Sequence, residues 1–267
     1  MCGFCDIQNK EEEKINLFSE EEIDNYIIGV YAGIYSVKNL DLSTYLKVAR
    51  KLSQGVFSGY SKTLFDVQYG TEDWVMLRAL QENVYLFSGA KQYHMLKEMS
   101  KGLTTGKFVT PYGEFKQYAK TIFEEYNENY LRAEYNSAIG QARAASRWQE
   151  YEKEANVFPM LTYQTAGDGR VRPTHEILDN ISRPVNDKFW DKFYPPNGWN
   201  CRCIVIQNGE DTPKTNLKGF IPPDDVPPAF QFNAGKEKII FSNKHPYFDI
   251  APRDKKNAKQ NWGLPLP

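Results

Sequence analysis

Three residues in the second half of the chain have side chains of the types that bind zinc. His175 precedes Cys201 and Cys203, which are separated by one arginine in a Cys-Arg-Cys sequence. Zinc prefers imidazole nitrogen and thiolate sulfur, but a structural zinc site normally has four protein ligands. The fourth would have to be an aspartate, or Cys2 or Cys5 folding back. The alternative is that Cys201 and Cys203 simply begin a strand as packed or exposed thiols.

A polar turn with the sequence Asp-Gly-Arg-Val-Arg-Pro precedes this histidine. Asp168, Arg170 and Arg172 could brace the turn through carboxylate–guanidinium pairs, or they could hold an anion. His175 and Glu176 could form an acid–base pair, but adjacent residues on a helix do not face each other. The sequence has no GxSxG, HExxH or P-loop pattern. We therefore predict no catalytic residues and no enzymatic activity.

Two arginines lie upstream, in a segment with helical periodicity. Arg143 and Arg147 are four residues apart, a spacing that places them on one face of a helix. One interpretation is a solvated or acid-paired face, and the other is a stripe that contacts DNA phosphates. The formal net charge of −1 gives no general attraction to nucleic acid, so DNA contact would depend on such a local patch.

Helices dominate the first half of the chain. Capping signals predict helices that begin after Ser19, Asp41 and Thr71, and the apolar pattern of the first continues to Ile34. A further helical stretch is predicted over residues 112–155. Gly140 lies within that stretch and indicates a break.

The hydrophobic period then changes to that of strands. Alternation predicts strands at 160–165 and 203–207 and an extended piece at 181–185, with a short helix over 173–179 between them. A stiff Pro195-Pro196-Asn197-Gly198 turn precedes the last strand. Five aromatic side chains around this turn are predicted to form a compact core: Phe189, Trp190, Phe193, Tyr194 and Trp199.

The end of the chain is rich in proline and irregular in pattern, with one short strand predicted over residues 238–241. Such tails commonly wrap a neighbouring molecule or stay mobile. The fold class predicted is α+β, with a helical N-terminal half, a small mixed α/β module and a mostly irregular tail. The predicted division is 1–105 for the helical region, 106–210 for the module and 211–267 for the tail.

Composition narrows the class of protein. Apolar residues make up 41% of the chain, which is ordinary for a globular protein, and no run of about 18 apolar residues predicts a membrane span. The acidic N-terminus lacks the apolar region of a secretory signal. Four cysteines without an export signal favour reduced thiols or metal ligands over disulfides, so we expect a cytoplasmic site of synthesis and assembly.

Together these residues resemble the phage Mu F-like minor head protein family, also described as a head-morphogenesis family. The resemblance covers roughly residues 110–250 and rests on D-x-R-V-R-P-x-H at 168–175, D-x-F-W at 187–190 and Y-P-P-N-G-W-N-C-R-C at 194–203. It implies a structural signature formed by Asp168, Arg170, Arg172, His175, Asp187, Trp190, Pro195, Pro196, Gly198, Trp199, Cys201, Arg202 and Cys203.

Some branches of the family carry C-x-x-C where this chain has Arg172 and His175. Arginine does not bind metal, so only His175 can replace a lost thiol here. The resemblance therefore favours a hydrogen-bonded lock of arginine, histidine and aspartate, and we expect no cofactor. Zinc at His175, Cys201 and Cys203 is the alternative.

The resemblance implies a minor component of a tailed-phage or prophage head, acting in procapsid assembly. It would be assembled in the cytoplasm of the bacterial host and would lie in the head interior or at the portal vertex. The expected partners are the portal protein, the major capsid or scaffolding protein and double-stranded DNA, with no membrane. The alternative is a toxin- or nuclease-related enzyme domain, because related domains occur fused to such modules.

Overall fold

The computed structural model describes residues 15–223 and 226–267. Three helices come first, and each begins at its predicted cap. Backbone amides in their first turns donate hydrogen bonds to the side chains of Ser19, Asp41 and Thr71, which satisfies groups that have no partner within the helix. The helices are α1 (Glu20–Tyr31), α2 (Leu42–Tyr60) and α3 (Glu72–Met99).

The first helix is shorter than its apolar pattern predicted. Helix α1 ends at Tyr31, and Gly33 follows in the left-handed region with a φ of 74°. The amide of Ile34 then donates back to the carbonyl of Gly29 at 2.8 Å, a closure typical of helix ends with such a glycine. The prediction that Ile34 continues the helix is wrong, because Gly33 turns the chain out of it.

A short hairpin leads into the long helical stretch. Strand β1 (Thr104–Thr105) pairs with β2 (Phe108–Val109), and α4 (Tyr112–Glu124) follows. Six residues in π-helical conformation, Glu125–Tyr130, join α4 to α5 (Leu131–Glu154).

The break predicted near Gly140 is wrong, because α5 runs through that residue without interruption. The irregularity of this stretch lies in the π-helical turn instead. Gly140 serves a packing contact: a Cβ atom there would lie 3.0 Å from the side chain of Pro196. Glycine therefore lets the Pro195-Pro196 turn approach the helix.

A three-stranded antiparallel sheet follows the helices, and it contains the two strands that alternation predicted. Its strands are ordered β4-β3-β5, and the pairing of β3 with β5 aligns Gln164 with Ile204. The sheet buries Leu161, Tyr163 and Val205 against Trp148 of α5. Two short helices lie in its connections. The bounds are β3 (Met160–Gln164), α6 (Pro173–Glu176), β4 (Ser182–Pro184), α7 (Phe189–Phe193) and β5 (Ile204–Asn208).

The proline-rich tail packs on the chain's own helices. Phe232 and Phe241 are buried in the core formed by α2, α3 and α5. The strand predicted over 238–241 is absent: this segment follows α8 (Ala234–Glu237), and Lys238 is in the left-handed region. The backbone amides of Ile240 and Phe241 do not pair with a strand. They donate hydrogen bonds to the side-chain oxygen of Asn83, at 2.9 and 2.8 Å. A last short helix is α9 (Lys255–Lys259).

The predicted α+β class is confirmed by this arrangement of helices, small antiparallel sheets and an irregular tail. The three-part division of the chain stays a prediction. Within the described residues, none of the helices is long and apolar enough to cross a membrane.

Candidate functional site

The register of the sheet brings two distant parts of the sequence together. Gln164, the last residue of β3, pairs with Ile204, the first residue of β5. The turn that follows β3 and the Cys-Arg-Cys segment that precedes β5 therefore lie at the same end of the sheet. Helix α6 begins with Pro173, whose fixed φ suits the first helical position. This short helix places His175 at the same end of the sheet.

The side chains of His175, Cys201 and Cys203 lie close together at this end of the sheet. The Nδ1 atom of His175 lies 3.6 Å from the Sγ atom of Cys201 and 3.5 Å from the Sγ atom of Cys203. The ligand atoms of the three residues all lie within 4.8 Å of one another. Only 3% of the surface of His175 and 9% of that of Cys203 is exposed. Sequence spacing alone did not show that the histidine faces both thiols.

The two thiols differ in acidity because they share these partners. Hydrogen bonding from Cys203 holds the pKa of Cys201 well below its usual value, and His175 adds to this effect against the cost of burial. The pKa of Cys203 is raised, first by its hydrogen bond to Cys201 and then by burial. Of the two thiols, Cys201 therefore loses its proton more readily.

An ion pair fastens the polar turn to the Cys-Arg-Cys segment. Arg202 donates two hydrogen bonds to the carboxylate of Asp168, at 2.6 and 2.5 Å. Arg170 lies farther from the same carboxylate, at 3.5 Å. The Arg202 guanidinium holds the pKa of Asp168 well below its usual range. Asp168 thus pairs chiefly with Arg202, a partner 34 residues away that sequence reasoning did not assign to it.

Arg172 has a different role from the carboxylate partner considered in the sequence. Its Nη2 atom donates to the carbonyl of Trp199 at 2.6 Å. Gly198 lies beneath this side chain, and a Cβ atom there would be 3.4 Å from the Nη1 atom of Arg172. The arginine therefore joins the start of α6 to the loop that ends in Cys201.

The acidic-aromatic motif forms a second, mostly buried set of contacts. Asp187 accepts two hydrogen bonds from Arg183, at 3.0 and 2.6 Å, and one from the amide of Phe189. Trp190 is fully buried and its Nε1 atom donates to the carbonyl of Pro184 at 3.0 Å. Arg183 was missed in the sequence, although its spacing of four residues from Asp187 was available as a signal.

Asn197, within the proline turn, is a further residue whose importance the sequence did not show. It is fully buried, and it accepts a hydrogen bond from the hydroxyl of Tyr163 at 3.1 Å. Its amide nitrogen lies within reach of the carbonyls of Tyr194 and Phe230. Asn197 therefore ties the turn to both the sheet and the tail.

Arg143 and Arg147 lie in α5, beside the Cys-Arg-Cys segment. Together with Arg202 they line a solvent-open cavity between the helix and the segment. Pro196 and Cys201 also line it. Burial, followed by the neighbouring charge of Arg147, lowers the pKa of Arg143. The two candidate arginines thus share one cavity with the third.

Cys2 and Cys5, considered in the sequence as a source of the fourth zinc ligand, lie outside the described residues. Asp179 lies near the cluster but its carboxylate is occupied, because Thr165 donates to it through both its amide and its hydroxyl. Among the described residues, the group suited to a metal therefore has three members.

Comparison with known proteins matches the central part of the chain. The family model described as Phage Mu protein F like protein matches residues 94–206. The chain is 42% identical over 71 residues to the "Putative capsid assembly protein F" of Escherichia phage Mu. It is 32% identical over 75 residues to the "Mu-like prophage FluMu F protein" of Haemophilus influenzae.

These matches are partial. The aligned segments cover 27% and 28% of this chain, but only 16% and 17% of the two relatives. No solved structure matches the chain. The matched range contains the polar turn, the acidic-aromatic motif and the Cys-Arg-Cys segment described above. The resemblance inferred from these motifs is confirmed, because residues 94–206 match the model of the phage Mu F-like family and the two relatives carry Mu F names.

Proposed function

We propose that this protein is a minor head protein that acts in assembly of a phage or prophage capsid. The observation that carries the proposal is the match of residues 94–206 to the Mu F-like family, one relative of which is named as a capsid assembly protein. In this proposal the protein is made in the cytoplasm of the bacterial host and becomes part of the head, in its interior or at the portal vertex.

The contacts of the motif support a structural role. Asp168 binds Arg202, Arg172 binds a backbone carbonyl and Asp187 binds Arg183. The first two contacts each join one loop of the module to another, and the third braces the turn between β4 and α7. A module held in this way can present fixed surfaces to other head proteins, which suits assembly better than catalysis.

Exposed apolar side chains give the proposed partners places to bind. In the β1–β2 hairpin Phe108 is 80% exposed and Val109 71% exposed, and in the loop between α2 and α3 Phe65 is fully exposed. Contiguous exposed apolar side chains, such as those of Phe108 and Val109, commonly mark protein interfaces. We propose the portal protein and the major capsid or scaffolding protein as the partners of these surfaces.

The experiment is quantitative mass spectrometry of purified procapsids and mature particles, with the portal protein as internal standard. A fixed, small number of copies per portal ring supports the proposal. Absence of the protein from both kinds of particle would refute it. The variant Phe108→Asp should lower the copy number if the hairpin is an interface, whereas Val157→Asp, at an exposed apolar position elsewhere, should not.

The arginine-lined cavity supports a second proposal, contact with packaged double-stranded DNA. Arg143 and Arg147 line one concave surface beside Arg202, whose guanidinium is already paired with Asp168. Arginine binds phosphate through paired hydrogen bonds, so this surface suits the DNA backbone rather than the bases. Two contacts to phosphate would make log K fall with log salt at a slope of about −1.8.

Fluorescence anisotropy with a short duplex tests DNA contact. Arg147→Ala should weaken binding and reduce the salt slope by about 0.9, while Arg50→Ala, an exposed arginine of α2, should change neither. Equal effects of the two variants, or no binding at about 0.1 M salt, would refute the proposal. The toxin or nuclease alternative instead predicts a folded His175→Gln variant that has lost an activity.

A further inference from the structure

We propose that His175, Cys201 and Cys203 bind one zinc ion, which fastens α6 to the strand β5. The proposal rests on the positions of three side chains and is independent of the capsid role. Two sulfur atoms approach the same nitrogen, Nδ1 of His175, at 3.6 and 3.5 Å. A set of two thiolates and one imidazole is soft enough to select zinc over magnesium or calcium.

Hydrogen bonding explains only one of the two approaches. In a neutral imidazole each ring nitrogen either carries one proton or offers one lone pair in the ring plane. Nδ1 can therefore make one good hydrogen bond, to Cys201 or to Cys203, and not to both together. A cation placed among the three atoms would interact favourably with the nitrogen and with both sulfurs at once.

The distances also fit a tetrahedral zinc ion. With Zn–S bonds of about 2.3 Å and a Zn–N bond of about 2.05 Å, a tetrahedral angle places nitrogen and sulfur about 3.55 Å apart. The separations of 3.6 and 3.5 Å agree with this edge length. The distance from Nδ1 of His175 to each sulfur therefore already suits a bound zinc ion.

The surroundings hold the ligands in place before any metal binds. Arg202, which lies between the two cysteines, is anchored to Asp168 by two hydrogen bonds. His175 is fixed in α6, and the Arg172 side chain joins the start of that helix to the carbonyl of Trp199. A site preorganised in this way binds metal without first ordering its loops.

Charge balance favours a divalent ion here. Two thiolates and a neutral imidazole carry two negative charges, which zinc neutralises, so the buried group becomes neutral overall. Binding releases the two thiol protons to solvent. Cys201 and Cys203 also line the solvent-open cavity beside α5, which gives a water molecule room to complete the four ligands.

The test is the zinc content of the purified full chain, measured by inductively coupled plasma mass spectrometry after growth with added zinc. We expect about one zinc per chain. Cys203→Ser and His175→Gln should each lower the affinity for zinc by more than about tenfold, because replacing even a residue that only hydrogen-bonds to a metal ligand costs about that much. The affinity is measured by competition with a coloured chelator. His94→Gln is the matched control, because it replaces a packed histidine outside the cluster.

Cobalt substitution of the unmodified chain gives a second measurement that does not depend on any variant folding. Tetrahedral cobalt with thiolate ligands shows intense visible bands and sulfur-to-metal charge transfer, and we expect both. Cobalt-loaded protein without charge transfer would overturn the proposal, as would a chain that folds and retains no metal. Metal lost from a Cys2→Ser, Cys5→Ser double variant but retained by Cys203→Ser would also overturn it.

Discussion

A buried ion pair between two helices offers the sharpest test of how the core is held together. Lys91 of α3 and Glu134 of α5 form a salt bridge, and their side chains are only 2% and 3% exposed. Burial lowers the pKa of Lys91 and raises the pKa of Glu134, while each partner opposes that effect in the other. The variant Lys91→Met removes the cation and leaves the carboxylate buried.

The expected cost follows from this burial. Breaking a buried pair by removing one partner typically costs about 3–5 kcal/mol of unfolding free energy. That loss is a large share of the total of about 5–15 kcal/mol that a typical domain has. The double variant Lys91→Met, Glu134→Leu should recover most of the loss, because no charge then remains buried.

The loss should also depend on pH. In Lys91→Met the folded-state pKa of Glu134 stands above its unfolded value of 4.5, because burial favours the neutral acid. A raised folded pKa stabilises the protein below the unfolded pKa, and that benefit is lost as the pH rises through the folded pKa. The deficit of the variant relative to the original chain should therefore be larger at about pH 8 than at about pH 5.

The assay is urea unfolding of the original chain and the variants, followed by circular dichroism at both pH values. The control is Lys153→Met, which removes an exposed partner of Glu72 and should cost less than about 1 kcal/mol. A double variant as unstable as Lys91→Met would refute the reasoning, because the cost would then come from lost packing. A deficit that does not change with pH would refute the assignment to the charge of Glu134.

Three further predictions concern other contacts. Asn83→Ala should lower the unfolding free energy, measured by urea unfolding, by about 1–3 kcal/mol, because the tail amides of Ile240 and Phe241 lose their acceptor. Asn208→Ala, in β5, is the control, and equally small losses of unfolding free energy in the two variants would contradict this prediction. Gly59→Ala should cost about 1–3 kcal/mol or more, since its Cβ would lie 2.1 Å from the carbonyl oxygen of Ile139, and an unchanged melting temperature would refute it. Asp168→Asn should lower the melting temperature more at pH 6 than at pH 2: the lowered pKa of Asp168 stabilises the fold above its unfolded value of 3.8, and this is lost as the pH falls through the folded pKa. A difference that persists unchanged at pH 2 would count against it.

The parts of the fold that depend on local interactions could be predicted from the sequence. Ser19, Asp41 and Thr71 cap their own helices within three residues, so the signal and its effect are neighbours in the chain. The strands β3 and β5 follow from alternation of apolar residues for the same reason. The end of α1 was misjudged because the apolar pattern continued to Ile34 across a glycine that ends the helix.

Contacts set by the register of the sheet could not be predicted in this way. Asp168 binds Arg202 because β3 and β5 leave the sheet together, and that pairing is a property of the folded sheet. The same limitation applies to the tail. Residues 238–241 read as a strand because three of the four are apolar, but the amides of Ile240 and Phe241 bind the side chain of Asn83, 158 residues from Phe241.

The motif therefore combines residue types that serve a single mechanical purpose. Arg172, Asp168 and Asn197 each join one loop of the module to another through atoms that lie far apart in sequence. Replacing Asp168 leaves Arg202 without its counter-charge, and replacing Asn197 leaves the buried hydroxyl of Tyr163 without its acceptor. Contacts that hold the same segments are coupled, so the effects of two replacements should not add. Asp168→Asn and Arg172→Met act on the same two segments, the turn and the loop before β5. Their combined loss in urea unfolding should accordingly be smaller than the sum of the single losses, whereas strict additivity would show that the two contacts act independently.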